Sequence, residues 1–192
     1  MRLLESIGED MELWDLYDHD RKLTGKTIKR GDKIPQGYYH MVVHVCIFNS
    51  KGEMLIQQRQ PFKKGWSNMW DLSMGGSAQS GDTSREAAER ETFEELGLSL
   101  DLAQDRPVLT IPFSMGYDDI YIVEKDIDLQ SLKLQYEEVQ QVKWAGLHDI
   151  LRMIEEGTFI PYHKSLISLL FDLRITRDAH SNLAKHEFAQ MK

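Results

Sequence analysis

GGSAQSGDTSREAAERETFEELGL, residues 75–98, leads a glycine-rich loop into a segment whose helical character is marked at both ends. Asp82, Thr83 and Ser84 offer side-chain oxygens to the free amides of a first turn, and Thr83 with Glu86 has capping-box spacing. Gly97 suits the left-handed residue that closes a helix. At roughly 100° per residue, Glu91, Glu94 and Glu95 fall within about a third of the circumference, beside the small Ala87. Ala88, Thr92 and Leu96 follow at a spacing of four, so an adjacent stripe is expected to pack on a core while the carboxylates face outward. Like charges this close destabilise a helix unless a cation sits among them. Oxygen ligands suit a hard divalent ion, and Mg²⁺ typically takes a few carboxylates together with waters and substrate phosphates. The plainer alternative is a solvated acidic face with a good cap, and the wider pattern decides between the two.

Gly76, Asp82, Arg90-Glu91, Glu94-Glu95 and Gly97-Leu98 together resemble the signature of the Nudix hydrolases, G-x5-E-x7-R-E-U-x-E-E-x-G-U. Two positions depart from it: Asp82 stands where the family has Glu, keeping the charge but shortening the reach, and Thr92 replaces a bulky aliphatic. The resemblance implies an α/β fold, an α/β/α sandwich with a mixed central sheet. It also implies a reaction in which Mg²⁺ or Mn²⁺ lets water cleave a diphosphate linked to another moiety, a nucleoside diphosphate derivative or a similar organic diphosphate. Glu95 and Glu91 are the leading metal ligands on this reading, with Glu94 next, directly or through water. The Trp70-Asp71-Leu72-Ser73-Met74 approach to the glycines matches many family members and adds the Gly75 carbonyl as a candidate ligand. Arg90 is assigned to orienting the glutamates by salt bridges.

The rest of the chain fits one domain with extensions. Its 192 residues are 41% hydrophobic, enough for one good core. With 31 Asp+Glu against 23 Lys+Arg and a formal charge of -8, broad binding to a nucleic-acid backbone is not expected. The single cysteine, Cys46, excludes an internal disulfide and reads as a small buried hydrophobe in MVVHVCIF. The first residues, MRLLESIGEDMELW, carry acids where a secretory signal holds its apolar segment, and no stretch approaches the length of a membrane span. A cytoplasmic protein without a membrane partner is the expectation.

Residues 1–35 are expected to form an N-terminal extension with a β-hairpin between Leu13 and Arg30, residues 36–176 the main domain, and residues 177–192 a polar tail. The hairpin and the loop RGDKIPQG also resemble the lead-in of the type I isopentenyl diphosphate isomerases. In those enzymes a catalytic cysteine follows the tryptophan-led strand, where this chain has Gly75-Gly76-Ser77-Ala78. Tyr38–Phe48 and Glu53–Arg59 read as strands joined by a turn at 49–52, paired at the centre of the sheet. Period-two alternation puts His40 and His44 on one face, and His40 resembles a metal-binding histidine of the isomerases. Arg59 is a candidate phosphate contact and Trp70 a candidate substrate contact, with Pro61–Asn68 a basic loop overhanging the substrate. Trp66, Trp70, Phe113 and Tyr117 are the aromatics considered for stacking on a base.

Residues 106–114 and 120–125 read as further strands joined by Met115–Asp119. A helix over Leu147–Glu156 and another from Pro161, apolar through Leu166, Ile167, Leu169, Leu170 and Leu173, follow. A further acid for the metal or as the base is open among Asp118, Asp119, Glu124, Glu137 and Glu138. Gln141 replaces an acid that the family places at its position. An isomerase and a Nudix-fold binding module without turnover are the alternatives to a hydrolase. A homodimer is compatible with the apolar last helix and the N-terminal hairpin.

Overall fold

The computed structural model describes residues 12–180. The readings made of the first eleven residues and of the tail beyond residue 180 lie outside it. The chain opens with a hairpin, β1 (Leu13–Tyr17) against β2 (Leu23–Lys29). The main sheet is built from β3 (His40–Phe48), β4 (Met54–Arg59), β5 (Trp70–Asp71), β6 (Met74–Ser77), β7 (Leu109–Phe113), β8 (Gly116–Glu124) and β9 (Val139–Ala145). The helices are α1 (Ser84–Leu96), α2 (Leu147–Glu155) and α3 (Lys164–Ile175).

The sheet is mixed, because β3 runs parallel to β8 while its other pairings are antiparallel. Alternation along β3 and β4 sorts two cores. Met41, Val43, Val45, Ile47 and Leu55 pack with Ala87, Ala88 and Leu96 of α1. Cys46, Phe48, Met54 and Ile56 pack on the other face with Ile150 and Met153 of α2 and Ile167, Leu170 and Leu173 of α3. Helices on both faces of a mostly buried sheet give the expected α/β/α sandwich.

The pairing of β3 with β4 differs from the simple hairpin expected. They meet at one register only, Phe48 opposite Met54, and then diverge. Strand β3 takes β6 as its partner and β4 takes β5. The segment that wedges between them changes partner at Leu72–Ser73, so the single strand expected at Trp70–Met74 is two short ones. Buried Ser73 spans the gap: its Oγ accepts from the Ile47 amide at 2.8 Å and donates to the Leu55 carbonyl at 2.5 Å. The splayed strands leave room at the α1 face for polar side chains.

The turn expected at Met115–Asp119 is also shorter, since β8 already begins at Gly116 to continue the parallel pairing with His40. A Cβ at Gly116 would lie 2.4 Å from the His40 carbonyl oxygen, so this close start of the strand needs glycine. The last helix begins at Lys164 rather than Pro161, and its apolar face covers the sheet. Among the described residues no helix is long and apolar enough to cross a membrane.

Candidate active site

The α1 start is the expected capping box: Thr83 Oγ1 accepts from the Glu86 amide, and Glu86 accepts from the Thr83 amide at 2.8 Å. Gly97 closes the helix with φ 66° and its backbone N–H donates to the Phe93 carbonyl. Ala88, Thr92 and Leu96 are all buried, and the Thr92 hydroxyl satisfies itself on the Ala88 carbonyl at 2.7 Å, so threonine is tolerated at an apolar position.

The glutamates are less exposed than an outward wall would be. Glu95 is only 4% exposed and accepts from Gln57 Nε2 at 2.9 Å. Gln57 and Arg59 share the α1-facing side of β4 by period-two alternation, which is how a strand-end arginine reaches the site. Burial pushes the Glu95 carboxyl up to about 8, with Gln57's hydrogen bond opposing and the nearby Glu91 and Glu138 charges adding to the rise. Burial also raises Glu91, with Arg90 opposing. Glu94 is 45% exposed at its side chain.

Arg90 is the hub expected of it. Its Nη1 donates to Glu91 Oε1 at 3.0 Å and to Glu94 Oε2 at 3.2 Å. Its Nη2 reaches the Ser77 carbonyl, and Nε and Nη2 both bind Asp82 Oδ2 at 3.1 and 2.9 Å. Asp82 therefore anchors the guanidinium and, by accepting from the Gln79 amide, also closes the loop before the helix. A Cβ on Gly76 would lie 2.3 Å from Glu91 Cδ, so the helix carboxylate rests directly on the β6 backbone.

Glu91, Glu94, Glu95, Arg90, Arg59 and Gly75 all line one cavity of about 230 Å³. Three further contributors come from outside the motif: Glu12 and Arg30 at the two ends of the hairpin, and Gln135 before β9. Arg30 donates to Glu12 Oε2 at 2.6 Å. The hairpin is held on the glycine loop by Asp15, which accepts from Ser80 Oγ and the Gly81 amide, both at 2.8 Å. Of the five acids considered for the base, Glu138 alone lines the cavity, ion-paired to Lys63.

The others are engaged elsewhere. Asp118 bonds His44 Nδ1 at 2.7 Å, Asp119 is buried under Arg21 and Thr110, Glu124 lies near Arg174, and Glu137 is exposed. Gln141 bonds Gln58 on the face of β4 opposite Gln57.

Several candidates sit away from the cavity. Trp70 packs at the edge of the α2/α3 core with Lys143 Nζ 4.2 Å from its ring centroid, so it does not line the site as a substrate contact. His40 stacks on Trp14 at 4.5 Å and meets Phe113 edge-on, at the far end of β3. Tyr117 donates to the Asp18 and His19 carbonyls, and Trp66 is exposed on its loop without lining the cavity.

Hard oxygen donors fit a divalent cation here, and the Gln57 Oε1 buried beside Glu95 has no hydrogen-bond partner. Among the described residues, however, no three His, Cys, Asp or Glu side chains are grouped to hold a metal, and Arg90 occupies one oxygen each of Glu91 and Glu94. The expected three-glutamate set is therefore not assembled as such. What the cavity offers is the buried Glu95 and the half-buried Glu91, which suits an ion that completes its shell with water and phosphate.

A mixed sheet between helices, with an acidic helix against a glycine loop, defines an α/β protein whose structural neighbours share the Nudix fold. The crystal structure of DR0079 from Deinococcus radiodurans superposes with a TM-score of 0.66 at 25% identity, covering 83% of this chain and 97% of that one. A family model for the NUDIX domain matches residues 38–168, and the chain belongs to the Nudix hydrolase family. An uncharacterized Nudix hydrolase of Listeria innocua is 47% identical over 170 residues, 88% of this chain and 99% of that protein. An isopentenyl-diphosphate Delta-isomerase of Escherichia coli is 28% identical over 123 residues, 60% of this chain and 66% of that protein. Nudix hydrolases generally use divalent metal ions and act on small organic diphosphates.

Proposed function

We infer that this chain hydrolyses the diphosphate bond of a small organic diphosphate, with a nucleoside diphosphate linked to another moiety as the substrate class. The observation that carries this reading is the buried Glu95 and half-buried Glu91 lining one small cavity with Arg30, Arg59 and Lys63. Carboxylates and cations lining one cavity suit a polyanion bound partly through a metal and partly by direct contact. Glu91, Glu95 and the Gly75 carbonyl are the proposed metal ligands, with Glu94 acting through water. Bound Mg²⁺ or Mn²⁺ neutralises phosphate oxygens and lowers the pKa of a coordinated water.

The protein's own groups supply the rest. Arg90, tied to Asp82, fixes the rotamers of Glu91 and Glu94. Arg59 and Arg30 accommodate phosphate charge, and Glu138, paired with Lys63, is the proposed proton acceptor for the attacking water. Cys46, fully buried on the α2/α3 face of β3, does not line this cavity and cannot serve as an isomerase acid there. A cytoplasmic location and a homodimer remain part of the proposal as expectations.

The test is phosphate or nucleotide release from a panel of organic diphosphates with Mg²⁺ and with Mn²⁺, for the wild type and Glu95→Gln. Metal-dependent release is expected, falling by about two to three orders of magnitude in the variant, the scale of removing one preorganised electrostatic group. Equal release by the variant, or release indifferent to metal, would sink the assignment.

A further inference from the structure

The diphosphate cavity has almost only charged and amide side chains in its lining, and among the described residues no aromatic one. Whatever the diphosphate is linked to must be recognised outside it. Next in sequence to two residues of its lining, Phe62 and Tyr136 are 56% and 71% exposed, and their rings pair, with centroids 5.8 Å apart and planes inclined by 42°. Each is the sequence neighbour of a cavity residue, Phe62 of Lys63 and Tyr136 of Gln135.

The two loops that present the rings are tied together. The Gln60 amide donates to the Glu138 carbonyl at 3.0 Å, Gln60 Nε2 to the Val139 carbonyl at 3.3 Å, and Lys63 pairs with Glu138. Two large apolar rings held in contact while facing water have no packing role that explains their exposure. Their placement is that of a preformed surface whose ordering cost is already met before a ligand arrives.

We propose that Phe62 and Tyr136 form a stacking platform for a planar aromatic ring, the nucleobase of the substrate, while the diphosphate occupies the adjoining cavity. This rests on the hydrolase reading and deepens it. Stacking tolerates any base because every base has a π face, so the platform selects nucleosides over alkyl or sugar diphosphates without selecting strongly among bases.

The experiment compares the four nucleoside 5′-diphosphates with methyl diphosphate, which lacks a ring, for the wild type, Phe62→Ala/Tyr136→Ala and Tyr136→Phe. Turnover and calorimetric binding are both measured in Mg²⁺. In the double variant the ratio of nucleoside to methyl diphosphate kcat/KM is expected to fall about ten- to a hundredfold, mainly through KM. Tyr136→Phe, which keeps the ring, is expected to preserve the ratio. An unchanged ratio in the double variant overturns the platform, as does Tyr136→Phe losing as much as the double variant.

If the wild type turns over neither class, the hydrolase reading fails for these substrates and the Kd ratio judges the platform alone. A ring preference lost in the double variant then supports it, and a wild type without ring preference overturns it. Glu95→Gln separates the two further, losing turnover while keeping the ring preference in Kd.

Discussion

Gly76 shows how much of the site depends on the absence of a single carbon. Glu91 lies against its Cα, and an added Cβ would fall 2.3 Å from the carboxyl carbon, so helix and strand can approach only at glycine. Gly76→Ala is expected to push Glu91 off the strand and cut metal-dependent hydrolysis about a hundredfold, the cost of roughly an ångström of misplacement. Circular dichroism should remain that of a folded protein, because Gly76 itself belongs to neither core; an active Gly76→Ala variant would show that Glu91 need not sit there. At this scale the sequence was legible where the motif is contiguous. Arg90's role followed from its neighbours in α1, and the Asp82 departure proved to be the anchor of Arg90. Gln57 is not legible as a site residue, despite its period-two relation to Arg59, because a glutamine in a strand carries no signal of what lies opposite. Trp70 misled, since a tryptophan before the glycine loop reads alike whether it faces substrate or core.

Among elements, the strand divergence at Ser73 organises the floor of the site. One hydroxyl satisfies a β3 amide and a β4 carbonyl that would otherwise face each other too far apart to bond. Ser73→Ala leaves both buried groups unpartnered and is expected to destabilise the fold by about 2–6 kcal/mol, at 1–3 kcal/mol for each orphaned group. Urea denaturation monitored by tryptophan fluorescence checks this, and a loss below about 0.5 kcal/mol would mean that the strands do not rely on that bridge. Helix α1 and its caps, β3, β4, α2 and the β1–β2 hairpin were readable because local periodicity and turn residues specify them. The split of β5 from β6 and the early start of β8 were not, because strand pairing is a long-range choice that local pattern does not encode.

For the molecule as a whole, burying Glu95 couples folding to protons and, on the proposed reading, to metal. Its carboxyl is raised from the ordinary 4.5 to about 8, so between these values the folded state holds a proton that the unfolded chain has released. Stability of the metal-free protein therefore falls as pH rises through that window, at up to about 1.4 kcal/mol per pH unit. Thermal denaturation in chelator is expected to show Tm declining from pH 5.5 to 8 in the wild type, with a shallower decline in Glu95→Gln. Added Mg²⁺ should raise the wild-type Tm more at pH 8 than at pH 5.5, since the cation takes the proton's place. The same slope in both proteins would remove Glu95 as its source.

The β1–β2 hairpin has a consequence at this scale too. Through Asp15 it holds the glycine loop, through Glu12 and Arg30 it walls the cavity, and through Arg21 it neutralises the buried Asp119 of β8. A fragment trimmed at Pro35 to a minimal catalytic unit would keep every letter of the motif while opening one side of its chamber. Transplanting the signature segment into another scaffold would meet the same gap, because part of the enzyme's anion chemistry is written in a segment that looks like an appendage.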